Sequence, residues 1–188
     1  MTTRSDKPRC ERCAFRARPC LCPDVPHVTA RTEIIVVRHA AELLKQSGSA
    51  RWAALALGAS CRIIDYAATP EPFDGSLLPL DGAWLLYPGG EEGVPSPLPQ
   101  RLIIPDGTWQ QARRMVARIP ELRSLPRLAL PAPGPGPRLR KSKDASGMCT
   151  LEAIAGALQL CGEPGPAAQL QALYETVMRR TKAYAFRT

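Results

Sequence analysis

The segment Arg101–Ile119, RLIIPDGTWQQARRMVARI, holds the residues best placed for chemistry. An apolar run, Leu102-Ile103-Ile104, has strand length and β-branched content. It ends at Pro105-Asp106-Gly107, where Pro fixes φ, Asp can bond the backbone beyond it and Gly permits a positive φ. Thr108 is a plausible N-cap for a helix whose apolar face would carry Trp109, Ala112, Val116 and Ile119. Arg113, Arg114 and Arg118 lie off that face. In α/β proteins ligands sit at strand carboxyl ends and helix amino ends, so Asp106 is the candidate base or orienting acceptor in a basic pocket. A helix-entry aspartate bonding backbone amides is the competing structural reading.

A second constellation is Cys10, Cys13, Cys20 and Cys22, four cysteines within thirteen residues. Such crowding suits a metal knuckle better than disulfides. Tetrahedral zinc on four thiolates fits the close pairs, and the tight final C-x-C leaves an iron–sulfur cluster open. Arg9, Arg12, Arg16 and Arg18 interleave the knuckle. The remaining thiols, Cys61, Cys149 and Cys161, are scattered and expected to be buried.

Around these sites the pattern alternates strands and helices. Strands are expected at Glu33–Arg38, Cys61–Asp65, Ala83–Tyr87, Leu102–Ile104 and Arg127–Leu130. Helices are expected from His39 to Leu57, interrupted at Ser47-Gly48-Ser49, then from Thr108, from Thr150, and from about Pro166 to Tyr184. Alternation of this kind means an α/β fold with a mainly parallel sheet and flanking helices. Three loops, Tyr87–Gly90, Pro105–Trp109 and Ser146–Ala153, then converge on one pocket at the edge of the sheet. No G-x-G-x-x-G or P-loop is present, and His27 and His39 are too few and too isolated for a Ser-His-Asp or Cys-His hydrolase.

The 188 residues carry a net charge of +8, unevenly spread. Residues 1–62 hold 11 basic and 5 acidic side chains, 63–100 hold 6 acidic and no basic ones, and 101–143 hold 10 basic and 2 acidic. Two basic segments flanking an acidic one suit a surface that meets a polyanion on one side. No apolar run is long enough to span a membrane, and the amino terminus does not read as a signal peptide, so a cytoplasmic protein without membrane contact is expected.

The ordered set of motifs resembles the DTW-domain family, named for Asp106-x-Thr108-Trp109. The resemblance rests on the four-cysteine cluster, His39-x-x-Glu42, LLYP at Leu85–Pro88, IPDGTWQQARRM at Ile104–Met115, LPRL at Leu125–Leu128, Leu139–Arg140, and TLEAIA at Thr150–Ala155. It covers nearly the whole chain, as a knuckle over 1–30 and a DTW domain over 31–188. The chain departs from the family at Ala40, where Pro is frequent, at Ser49-Ala50-Arg51, where Thr-Gly-Arg is, and at Cys149, where Ser is.

The resemblance implies a tRNA-uridine aminocarboxypropyltransferase, which moves the 3-amino-3-carboxypropyl group of S-adenosylmethionine to N3 of a tRNA uridine. It also implies a SPOUT-like fold with a carboxyl-terminal trefoil knot. On this reading Asp106 handles the N3 proton. Thr108 and Trp109 shape the donor pocket. The backbone of Leu86, Tyr87 and Pro88, and of Cys149, Thr150, Leu151, Glu152 and Ala153, holds adenine and ribose. Arg138 or Arg140 binds the donor carboxylate or a phosphate. His39, Arg51, Arg113, Arg114, Arg118, Lys141 and Lys143 meet the tRNA backbone, and zinc stiffens the knuckle. The alternatives are a SPOUT-like RNA methyltransferase and a non-catalytic zinc-bearing RNA-binding module. The oligomeric state, monomer or homodimer, is left open.

Overall fold

The structure, a computed structural model, describes residues 9–15, 20–43, 48–67, 71–134, 139 and 147–185. Its strands are β1 (Glu33–His39), β2 (Cys61–Tyr66), β3 (Ala83–Glu92), β4 (Arg101–Asp106) and β5 (Arg127–Ala129). Its helices are α1 (Ser49–Leu57), α2 (Trp109–Arg118), α3 (Pro120–Ser124), α4 (Thr150–Leu160) and α5 (Pro164–Ala185). The strands form one five-stranded sheet in the order β2-β1-β4-β3-β5, and every pairing is parallel.

Both faces of the sheet are covered, as its sequence demands. Ile34, Ile35, Val36 and Val37 of β1 are all fully buried, alternating between two cores. Ile34 and Val36 join Leu102, Ile104, Trp84 and Leu128 under α1, α4 and α5. Ile35 and Val37 join Ile103 and Leu85 under α2 and α3. A run without polar alternation is what a doubly covered parallel strand requires, and each such side chain contributes about 1.5–3 kcal/mol on burial.

This order creates a crevice. From β1 the chain crosses by α1, on one face, to β2 at the left edge. From β4 it crosses by α2 and α3, on the other face, to β5 at the right edge. Opposite directions on opposite faces share one hand. The carboxyl ends of neighbouring β1 and β4 therefore part their following chains, which is where open α/β sheets bind ligands. The three loops gather at this carboxyl rim, and β3 and β4, which carry two of them, are inner strands of the sheet.

The stretch after His39 divides into two pieces, a 3-10 turn over Ala40–Glu42 and α1 from Ser49, and residues 44–47 lie outside the described residues. β3 runs further than the apolar pattern of Ala83–Tyr87 suggests. It pairs Leu86 with Leu128, leaves the sheet through Tyr87–Gly90, and returns to pair Glu91 with the same Leu128. Gly90 permits the return, because a Cβ there would stand 2.3 Å from the Arg127 carbonyl oxygen.

At the other end of the sheet, Glu163 fastens α5 to the entry of β1. Its buried carboxylate accepts the amides of Arg31 at 2.6 Å and Thr32 at 3.0 Å. Burial alone would raise its pKa, but the bonds from Thr32 and Arg31 prevail and hold it below the usual carboxylate value. The clamp is thus charged and closed at neutral pH.

Candidate functional site

Asp106, the last residue of β4, is 5% exposed at the crevice between β1 and β4. One carboxylate oxygen accepts a hydrogen bond from the hydroxyl of Thr150, the first residue of α4. The Thr150 amide donates at 3.1 Å to the hydroxyl of Ser49, the buried first residue of α1. A chain of hydrogen bonds, Ser49–Thr150–Asp106, through the Thr150 backbone amide and its hydroxyl, so ties three elements that are distant in sequence. Hydrogen bonds to a carboxylate are stronger than neutral ones and hold its orientation.

Thr108 caps α2. Its hydroxyl accepts the Gln111 amide at 3.3 Å, while the Gln111 side-chain oxygen accepts the Thr108 amide at 2.7 Å, a reciprocal capping box. Gly107 does not hold the positive φ expected of it, and the room around it is tight: a Cβ would lie 3.0 Å from Gln111 Cβ and 3.5 Å from His39 Cβ. That contact places His39 beside the turn. Its Nδ1 accepts the Ala41 amide at 3.1 Å, which assigns the ring proton of neutral His39 to Nε2.

Trp109 departs from expectation. Helical spacing puts it on the buried face of α2 with Ala112, Val116 and Ile119, yet it is 42% exposed, and Met115 fills the core instead. The first helical position sits above the sheet rim, beyond the reach of the core. The indole meets the Tyr87 ring edge-on, with centroids 6.3 Å apart and planes at 71°. The Arg127 guanidinium stands 5.6 Å from the Tyr87 centroid. This contact joins the β3 excursion to the start of α2, as the Asp106–Thr150 bond joins β4 to α4. All three loops therefore meet.

Among the other candidates, Leu86 and Leu151 are core, Tyr87, Cys149, Thr150, Glu152 and Ala153 are half-buried, and Pro88 is exposed. The Glu152 carboxylate accepts the Cys149 amide at 3.4 Å and closes the first turn of α4. Desolvation pushes the Cys149 thiol up to about 11, so it is a protonated thiol at neutral pH and no thiolate nucleophile. Arg113, Arg114 and Arg118 are exposed on α2 without an ion-pair partner among the described residues. Arg51 is half-buried and donates to the Leu43 carbonyl at 3.2 Å. Arg138, Arg140, Lys141 and Lys143 lie outside the described residues, as do Arg16 and Arg18.

The four cysteines of the knuckle are brought together. Their sulfurs all lie within 4.8 Å of one another, with Cys10–Cys22 and Cys13–Cys20 at 3.7 Å. A tetrahedral ion with metal–sulfur bonds of about 2.3 Å spaces its thiolates about 3.8 Å apart. The four could therefore hold one ion, whereas a cluster of several irons would spread its ligands wider. The knuckle is anchored from behind: Trp52 Nε1 donates to the Cys13 carbonyl at 2.9 Å, Phe15 lies 6.0 Å from the Trp52 ring, and Arg180 donates to the Cys20 carbonyl at 2.6 Å.

Sequence reasoning passed over Ser49 and Gln111. The T-x-x-Q spacing of a capping box would have found Gln111; no local signal marks Ser49, whose partner is 101 residues away.

The chain is 30% identical over 122 residues to tRNA-uridine aminocarboxypropyltransferase 2 of Macaca fascicularis, covering 57% of this chain and 40% of that protein. It is 28% identical over 164 residues to tRNA-uridine aminocarboxypropyltransferase 2 of Drosophila melanogaster, covering 80% and 65% respectively. It thus spans less than two thirds of the length of either relative. No solved structure matches it. The family model of the DTW domain matches residues 7–182, from the knuckle to the end of α5, and the chain belongs to the DTW-domain family.

Proposed function

We propose that this chain transfers the 3-amino-3-carboxypropyl group of S-adenosylmethionine to N3 of a uridine in tRNA, releasing methylthioadenosine. The observation that carries this reading is the meeting of the β4 turn, the β3 excursion and the start of α4 at the switch point of the sheet, with a buried carboxylate at its centre. The names of its relatives support the reaction class. The five parallel strands with crossovers on both faces support a SPOUT-like fold, with a carboxyl-terminal knot as a further part of the proposal.

The N3–H bond of uridine lies on the Watson–Crick edge, so the base reacts only when unpaired or flipped out. N3 gives its proton to Asp106 or to water held by it, and forms a bond to the Cγ carbon next to sulfur. The Cγ–S bond breaks, its electron pair returns to sulfur, and the positive sulfonium becomes a neutral thioether. The proton is the remaining product. Since the sulfonium is already activated, the protein's main task is aiming Cγ at N3, and such positioning can supply up to roughly 7–11 kcal/mol. The Ser49–Thr150–Asp106 chain fixes one partner in that alignment. The loop backbones of Leu86–Pro88 and Cys149–Ala153 hold the donor, Arg138 or Arg140 takes its carboxylate or a phosphate, and the arginines of α2, with Lys141 and Lys143, hold RNA phosphate. The four thiols hold structural zinc in the knuckle over 1–30, remote in role from the chemistry.

Thr150→Val removes the hydroxyl from Asp106 and should lower kcat by roughly tenfold or more, the worth of a hydrogen bond to a charged group, with little change in KM. Thr150→Ser should retain most of the rate. Equal loss in both variants would deny Thr150 this orienting part. The reaction itself is tested by the thioether released from S-adenosylmethionine in the presence of tRNA. Methylthioadenosine supports aminocarboxypropyl transfer, and S-adenosylhomocysteine would make the protein a methyltransferase.

A further inference from the structure

Of the three tryptophans, Trp52 and Trp84 are buried at 1% and 7% exposure, and Trp109 alone is open to solvent, at 42%. An indole left exposed at the rim of a ligand crevice gives up stabilising burial. It is held in place nonetheless. Tyr87 braces it edge-on, and Tyr87 is itself covered by Arg127. Thr108, immediately before it, is locked in the capping box. Arg113 follows one helical turn later, exposed and without an ion-pair partner among the described residues.

We propose that Trp109, braced by Tyr87, is a stacking platform for an unpaired nucleobase of the RNA substrate, with Arg113 taking the phosphate beside that base. Every base offers a π-face to an indole, and a cation one turn away meets the negative charge that accompanies each nucleotide. This gives Trp109 to the RNA and not to the wall of the donor pocket. The position suits the chemistry, because a base held flat on Trp109 stays out of its helical stack three residues from Asp106. The inference deepens the proposed function and rests on it for the identity of the RNA, although its test does not need turnover.

The test uses the full chain and three synthetic RNAs of equal length: single-stranded oligouridylate, an abasic strand of the same charge, and a fully paired duplex. Because Trp109 is the exposed tryptophan, its emission reports stacking directly. Oligouridylate should quench it, while the abasic strand and the duplex should not. Trp109→Ala should weaken oligouridylate binding roughly tenfold, leave abasic-strand binding unchanged and abolish the quench. Trp109→Phe should keep most of the affinity. Equal affinity of wild type and Trp109→Ala for oligouridylate would overturn the platform, as would quenching by S-adenosylmethionine alone. Absence of any oligouridylate quench in a wild-type protein that carries out aminocarboxypropyl transfer would sink this inference and leave the function standing. A Trp109-dependent quench in a protein that transfers nothing would do the reverse.

Discussion

Asp106→Asn is expected to lower aminocarboxypropyl transfer by roughly 10²–10⁴-fold while the protein remains folded. Asparagine keeps an oxygen that can accept the Thr150 hydroxyl, so the tie between β4 and α4 survives and only the charge is lost. Asp106→Ala is the harsher change. It leaves the Thr150 hydroxyl without its acceptor and a hole at a site only 5% exposed, and should cost stability as well as rate. Comparing the two by rate and by melting temperature separates a carboxylate that handles the N3 proton from one that only fastens α4. Full activity in Asp106→Asn, measured with tRNA and S-adenosylmethionine, would leave Asp106 a purely structural residue.

Loss of the knuckle should have the largest effect on stability. Cys13 and Leu21 are fully buried and belong to the same core as β1, α1 and α5, so the thiols fasten the helical layer over one face of the sheet. Ala14 holds a φ of 56°, a left-handed conformation costly for any residue with a Cβ. Four ligands on one ion can compensate for that cost. The purified protein should contain close to one zinc per chain. Replacing Cys10 and Cys13 together by Ser should remove it and lower the melting temperature by about 10 °C or more. A zinc-free double variant that melts as sharply and as high as the wild type would show that packing on Trp52 and Arg180 suffices.

Strand and helix positions could be read from the chain because burial on both faces leaves an unmistakable mark, as in Glu33–Arg38 and Leu102–Ile104. Thr108 as a cap rests on local chemistry and is equally visible, whereas the turn expected at Pro105-Asp106-Gly107 begins only at Gly107, because Pro105 and Asp106 continue β4 paired with Val37 and Arg38 of β1. The order of the strands is not visible, since every strand here is similarly apolar, and the pairing of β1 with β4 joins residues 68 apart. The β3 excursion was hidden for a related reason. Pro88-Gly89-Gly90 marks a departure from the sheet, but nothing local says that Glu91 returns to the same partner, Leu128. Helical spacing assigned Trp109 to the core because periodicity reports the direction of a side chain and not where the core ends. The Ser49–Thr150–Asp106 chain needed three segments in space. Residue types alone named Asp106 and the four cysteines as candidates, and only the fold showed what surrounds them.

The central claim is the identity of the group placed on uridine. Unmodified tRNA incubated with the protein and S-adenosylmethionine, digested to nucleosides and analysed by mass, tests it most directly. The account predicts a uridine heavier by one aminocarboxypropyl group, absent when Asp106→Asn replaces the wild type. A methylated nucleoside, or tRNA that is bound yet returned unchanged by the zinc-loaded protein, would contradict it.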